Sequence, residues 1–228
     1  MKEYLENRIE NKEEPVVSVL SWLGNKEWEK NEEARVRLIW ANDFVREMPR
    51  HQIGQSFDAD FSSHFLKLYL ESKEDNQLIK SKVENKVVID LGTASSYTEQ
   101  LNYFAEMKVK EFIGVEKYNI AMSSAEAKER CLEKGIQGDY IKSDMLLFLC
   151  KLPDKCANFV LNGIDENLIT SGGYWSRIVN EITRTTYDKG IIMGCGSLFT
   201  NFKHEFSRLD TEKEGVAFPD ECGIFEKK

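Results

Sequence analysis

Apolar and polar positions change rhythm near residue 85. Before it, apolar residues recur at helical spacing: Val36, Ile39, Trp40, Phe44, Val45 and Met48 form one stripe, and Phe61, Phe65, Leu66, Leu68 and Leu70 a second. With the charged segment from Lys2 to Glu14 ahead of them, these predict a helical extension over residues 1–84. After Lys86, short apolar runs alternate with amphipathic stretches. Strands are predicted at Val87 to Leu91, Phe112 to Glu116, Tyr140 to Lys142, Ala157 to Leu161 and Ile191 to Met193. Helices are predicted at Tyr97 to Met107, Ala121 to Lys134, Asp144 to Lys151 and Tyr174 to Tyr187. Such alternation predicts right-handed βαβ units and an α/β domain over residues 85–228, doubly wound around a mostly parallel sheet. The tail reads differently. Val216-Ala217-Phe218, the turn-like Pro219-Asp220 and Gly223-Ile224-Phe225 predict a closing C-terminal hairpin.

A chain of 228 residues can bury a full core, which suits one domain with an extension. The formal charge of −8 and pI near 5.1 argue against phosphate backbones, and so nucleic acid, as the main partner. Five cysteines (Cys131, Cys150, Cys156, Cys195 and Cys222) are widely spaced with no C-x-x-C pair, the pattern of reduced intracellular thiols. The opening Met1-Lys2-Glu3-Tyr4-Leu5-Glu6 has no apolar signal region. The longest apolar run, Met145 to Cys150, is far too short to span a bilayer. A cytoplasmic chain is the expectation. His51, His64 and His204 share no metal-ligand spacing with each other or with the cysteines, so no metal site is predicted.

The chemistry gathers where the predicted strands end. Val87-Val88-Ile89-Asp90 runs into Leu91-Gly92-Thr93-Ala94, and the polar stretch Ser95 to Gln100 then starts a helix. Strand, acid, tight turn and helix together hold a nucleotide-like ligand at the carboxyl edge of a parallel sheet. The second strand ends at Glu116, suited to accept hydrogen bonds from a ribose diol. The third ends at Ser143-Asp144 and the fourth at Asn162-Gly163-Ile164-Asp165. Plainer roles fit the same residues. Asp90 and Asp144 are good helix N-caps, Glu116 could be a charge closing a strand, and Asn162 and Asp165 are turn formers.

Taken in order, the segment from Val87 to about Gly196 resembles the core of the class I S-adenosylmethionine-dependent methyltransferases, with their Rossmann-like fold. The resemblance rests on Asp90-Leu91-Gly92, on Ile113-Gly114-Val115-Glu116, on Lys142-Ser143-Asp144-Met145, and on Ile178 to Arg184 leading to Lys189-Gly190. It covers roughly half the chain. It implies S-adenosylmethionine as cofactor, with the first turn (Asp90, Gly92, Ala94) near its methionine end. Glu116 would meet the ribose hydroxyls and Asp144 the adenine amino group, with Lys117, Ser143, Met145 and Asn162 as further cofactor-binding residues. No catalytic residue is assigned, because methyl transfer needs an in-line nucleophile and a dry site more than an acid or base. The departure is in the first turn, where Ala94 and Ser96 stand in place of further glycines. No Asn/Asp-Pro-Pro-Tyr motif follows the fourth strand, and a small molecule or a protein side chain suits the acidic chain better than nucleic acid. The mixed segment Gln55 to Phe65, with Asp58, Asp60, Ser63 and His64, is expected to act as a lid over the site.

Three other readings compete. Ile89-Asp90-Leu91-Gly92-Thr93 also resembles the first phosphate loop of actin and Hsp70-like ATPases, but those need a hairpin around that loop and two large lobes. An NAD-binding oxidoreductase would use Glu116 equally well, yet wants G-x-G-x-x-G where this turn has one glycine. A non-catalytic module that binds S-adenosylmethionine fits the same residues.

Overall fold

The computed structural model describes residues 16–47, 72–93, 96–117, 122–162, 172–195, 201–209 and 222–228. Its centre is a seven-stranded sheet in the order β3-β2-β1-β4-β5-β7-β6. The strands are β1 (Val87–Leu91), β2 (Glu111–Glu116), β3 (Gln137–Lys142), β4 (Asn158–Asn162), β5 (Ile191–Cys195), β6 (Phe206–Arg208) and β7 (Cys222–Lys227). β1 to β5 are parallel, while β7 lies antiparallel between β5 and β6. This is the doubly wound, mostly parallel Rossmann-like sheet expected from the alternation of runs. One arm of the predicted tail lies among the described residues. β7 contains the predicted Gly223 to Phe225, but the strand paired with its outer edge is Phe206–Arg208. The predicted arm Val216 to Phe218 lies outside the described residues, as do the stripe from Phe61 to Leu70 and the segment Gln55 to Phe65.

β1 is buried at every position, because helices cover both faces. Val87, Ile89 and Leu91 face one apolar cluster, and Val88 faces the other. The strand's two-residue period therefore puts Asp90 on the Val88 face, under helix α5 (Tyr97–Glu106). That face is completed by α4 (Lys73–Val83) and α6 (Ser124–Glu133), through Ile79, Val83, Leu101, Phe104, Ala127 and Cys131. α4 starts from Ser72, whose hydroxyl accepts the Asp75 amide at 3.3 Å, and it turns Ile79 and Val83 inward four residues apart.

The opposite face carries α1 (Val19–Gly24), α3 (Glu32–Glu47), α7 (Met145–Leu149) and α8 (Gly172–Thr185); the single turn α2 (Glu27–Lys30) joins the first two. α8 buries Tyr174, Trp175, Ile178 and Ile182 along one stripe. Each fully buried isoleucine there contributes roughly 1.5–3 kcal/mol. α1 docks at the amino edge of the sheet. The Leu20 amide donates to Glu111 Oε2 at 3.0 Å, Trp22 Nε1 to the Lys151 carbonyl at 2.8 Å, and Lys110 Nζ to the Val16 carbonyl at 2.9 Å. α3 then climbs alongside α8 in the opposite direction. Arg37 lies 3.9 Å from Glu181 near the bottom, and Phe44 faces Tyr174 near the top. α3 thus reaches the carboxyl edge, where the candidate acids sit. Among the described residues, no helix is long and apolar enough to cross a membrane.

Candidate functional site

The first turn is held by backbone and hydroxyl contacts. Gly92 has φ of 76°, a conformation that favours glycine, and its amide donates to the Val115 carbonyl at 2.9 Å. The Ser96 amide and hydroxyl both donate to the Thr93 carbonyl, at 3.0 and 2.7 Å. Gln100, one helical turn on, donates from Nε2 to Ser96 Oγ at 2.8 Å. These bonds lay the start of α5 directly over the end of β1.

Asp90 lies beneath that lid of backbone, fully buried. Neither of its carboxylate oxygens has a hydrogen-bond partner, and the same holds for Thr93 Oγ1 and Gln100 Oε1. Burial pushes the Asp90 acid up to about 7, and the negative charge of Glu116 adds to the rise. Thr93 and Gln100 pull the other way, but neither reaches hydrogen-bond geometry to the carboxylate. Buried polar groups are rarely left unpaired, since each costs about 1–3 kcal/mol. Orphaned oxygens gathered at one strand end make a receptor for a donor-bearing group, above all a cationic one.

Glu116 ends β2 one strand away, on the same face as Asp90. It is half-buried, and its Oε1 accepts the Lys117 amide at 2.8 Å. Lys117 reaches across to β3, its ammonium 2.9 Å from Asp144 Oδ2. Asp144 is a hub. It caps α7 by accepting the Leu146 and Leu147 amides on Oδ1 at 3.0 and 3.4 Å, and the Tyr174 hydroxyl donates to the same oxygen at 3.0 Å. The helix cap and the Lys117 ion pair therefore fall to different oxygens of one carboxylate. Ser143 links the two strand ends, its amide donating to the Glu116 carbonyl at 3.1 Å and its hydroxyl to the Asp144 carbonyl at 3.0 Å.

Adjacent strands thus bring Asp144, Glu116, Asp90 and the end of β4 to one edge in spatial order. Asn162 is the last residue of β4 and pairs with Cys195 of β5. Met145 opens α7, half-buried against the apolar cluster. Ala94 lies outside the described residues. Three residues join the site that sequence reasoning did not single out: Thr93, Gln100 and Tyr174. Gln100 could have been found from its place four residues after Ser96 on a helix whose neighbours Leu101 and Phe104 face inward. Tyr174 carried no signal beyond its place in an amphipathic stretch.

Among the described residues, surface cavities lie away from these strand ends. One of about 450 Å³ opens between α5 and α6, beside Thr98, Glu126 and Arg130. Another of about 350 Å³ opens between α3 and α7, beside Trp28, Ile39 and Leu147. Neither is lined by the strand-end acids, whose chemical character is the better guide to a site. Among the described residues, no group of three or more His, Cys, Asp or Glu side chains could hold a metal ion.

No family model matches the chain, and no curated protein matches it. Solved structures do. A Streptococcus mutans chain crystallised in complex with SAH is similar at 11% identity, over 68% of this chain and 97% of that one, with a TM-score of 0.49. A SAM dependent methyltransferase from Aquifex aeolicus is similar at 13% identity, over 72% and 97%, with a TM-score of 0.45. The precorrin-6y C5,15-methyltransferase of Geobacter metallireducens is similar at 15% identity, over 70% and 89%, with a TM-score of 0.39.

Proposed function

We propose that the protein is an S-adenosylmethionine-dependent methyltransferase whose acceptor is a small molecule or a protein side chain. The observation that carries this reading is Asp90: a fully buried carboxylate with both oxygens unpartnered, at the carboxyl end of the central strand. A ligand that brings an ammonium to that point would give those oxygens the donors they lack. The amino acid end of S-adenosylmethionine has such a group. Thr93 Oγ1 and Gln100 Oε1 offer further acceptors for it. Glu116, next along the edge, would take the ribose hydroxyls, and Asp144 Oδ2 the adenine amino group. The cofactor supplies an electrophilic methyl group when bound. The chain's part is to hold that group in line with an acceptor and to keep water away. The acidic charge of −8 favours a small or proteinaceous acceptor over nucleic acid.

Calorimetric titration with S-adenosylhomocysteine, NAD and ATP tests the reading. S-adenosylhomocysteine should bind with micromolar affinity, roughly −8 kcal/mol. Saturable binding of ATP or NAD with no response to S-adenosylhomocysteine would overturn it. Binding without transfer to any acceptor offered would favour the non-catalytic reading.

Glu116 gives a second check. A carboxylate that accepts hydroxyl hydrogen bonds makes charge-assisted contacts of about 1.5–3 kcal/mol. Glu116→Ala should weaken S-adenosylhomocysteine binding roughly ten-fold or more. Circular dichroism and the thermal midpoint should change little, since this half-buried strand-end side chain packs into neither apolar cluster. Unchanged affinity in the folded variant would reduce Glu116 to a charge that closes a strand.

A further inference from the structure

We infer that Tyr174 is a positioning residue for adenine recognition, through which helix α3 of the extension governs how Asp144 is presented. The inference rests on the cofactor reading above. Three donors converge on Asp144 Oδ1: the Leu146 and Leu147 amides and the Tyr174 hydroxyl. With one oxygen so engaged, rotation of the carboxylate is blocked and Oδ2 is the oxygen left to face a ligand. Its partner is the Lys117 ammonium, which arrives from the solvent side on a side chain 38% exposed against 7% for Asp144. The amides belong to α7 itself and are a helix cap. The tyrosine comes from α8, and so ties the acid to a second element.

Tyr174 is in turn set by α3. Its ring is stacked with that of Phe44, centroids 6.4 Å apart and planes at 15°. Phe44 is pinned by the Arg177 guanidinium, 4.7 Å from its centroid and 3.5 Å from that of Trp40. A continuous set of contacts therefore runs from Trp40 and Phe44 through Tyr174 to the acid proposed to read adenine. None of those three aromatics needs to touch the cofactor.

The test is a ratio of affinities. A carboxylate that accepts from the adenine amino group should reject the deaminated analogue S-inosylhomocysteine, whose carbonyl would face it acceptor to acceptor. Wild-type protein should prefer S-adenosylhomocysteine by about ten-fold or more. Tyr174→Phe keeps the ring and its stacking on Phe44 but removes the hydroxyl. That variant should lose affinity for the adenine compound and let the preference fall to about three-fold or less. Phe44→Leu, which leaves Tyr174 intact but unsupported, should shift the ratio in the same direction, and it serves if Tyr174→Phe does not fold. A variant that merely loosens the fold weakens both ligands equally and leaves the ratio unchanged, which would overturn the inference. So would a wild-type protein that binds both ligands alike. Failure of the wild type to bind S-adenosylhomocysteine at all would instead remove the cofactor reading on which the inference stands.

Discussion

At pH 8 the Asp90→Asn variant is expected to be more stable than the parent by about 2–4 kcal/mol, and to bind S-adenosylhomocysteine at least ten-fold more weakly. The folded chain raises the Asp90 acid from 3.8 to about 7, chiefly by burial. Between those values the folded state holds a proton that the unfolded chain has released. Stability therefore falls as pH rises from about 4 to about 7 and stays at the lower level above that. Asparagine keeps the shape and does not titrate, so the variant escapes the cost of holding a charge in that buried place. The gap between variant and parent should open across that window and nearly close at pH 4.5. Urea unfolding at the two pH values measures it, and an equal gap at both would mean that Asp90 does not titrate between them. The ligand should sense the same group from the other side. If an ammonium must meet the ionised acid, parent affinity should fall about ten-fold for each pH unit below 7.

The Gly194→Ala variant should lose about 3–5 kcal/mol of stability, enough to leave little folded protein at 37 °C. Gly194 sits in β5 opposite Leu161 of β4, with φ of 143°. A Cβ there would meet the Leu161 carbonyl oxygen at 2.2 Å and its carbon at 2.7 Å. Both contacts are backbone in the middle of the sheet, so no side chain can swing aside to relieve them. The strain would fall beside the end of β4, at the edge that carries the site. An unfolding free energy from urea titration within about 1 kcal/mol of the parent would show that the two strands can part without cost.

Much of this was legible in the sequence because the central strands are buried on both faces and read as unbroken apolar runs. β1 is bounded as its residues predict, Val87 to Leu91. β3 was harder. It is the edge strand, its positions alternate between exposed and buried, and its first half, Gln137-Gly138-Asp139, has no apolar run to announce it. β6 is three residues long with one buried side chain, Phe206, too little to stand out from a loop. The helix α4 is not among the predicted stripes, because its composition is polar and only Ile79 and Val83 mark its apolar inner face. The site divides in the same way. Acids at strand ends are visible as single letters next to a strand. That Asp90 is unpartnered, or that Asp144 is shared between a helix cap, a lysine and a tyrosine from another helix, depends on distances between elements, and no local pattern encodes those.

The place of β7 has a consequence for the order in which the protein is made. The strand lies inside the sheet, bonded to β5 along one side and to β6 along the other. A nascent chain that has emerged only as far as residue 221 has already produced β1 to β5, yet β5 is still an open edge with its hydrogen-bonding groups exposed. Translation must deliver residues 222–227 before that edge closes and before β6 has anything to pair with. The β5–β7 pairs are 27 to 35 residues apart in sequence, so their closure carries a loop entropy close to that of the neighbouring βαβ steps. During that interval the open edge of β5 can pair with another copy of the chain.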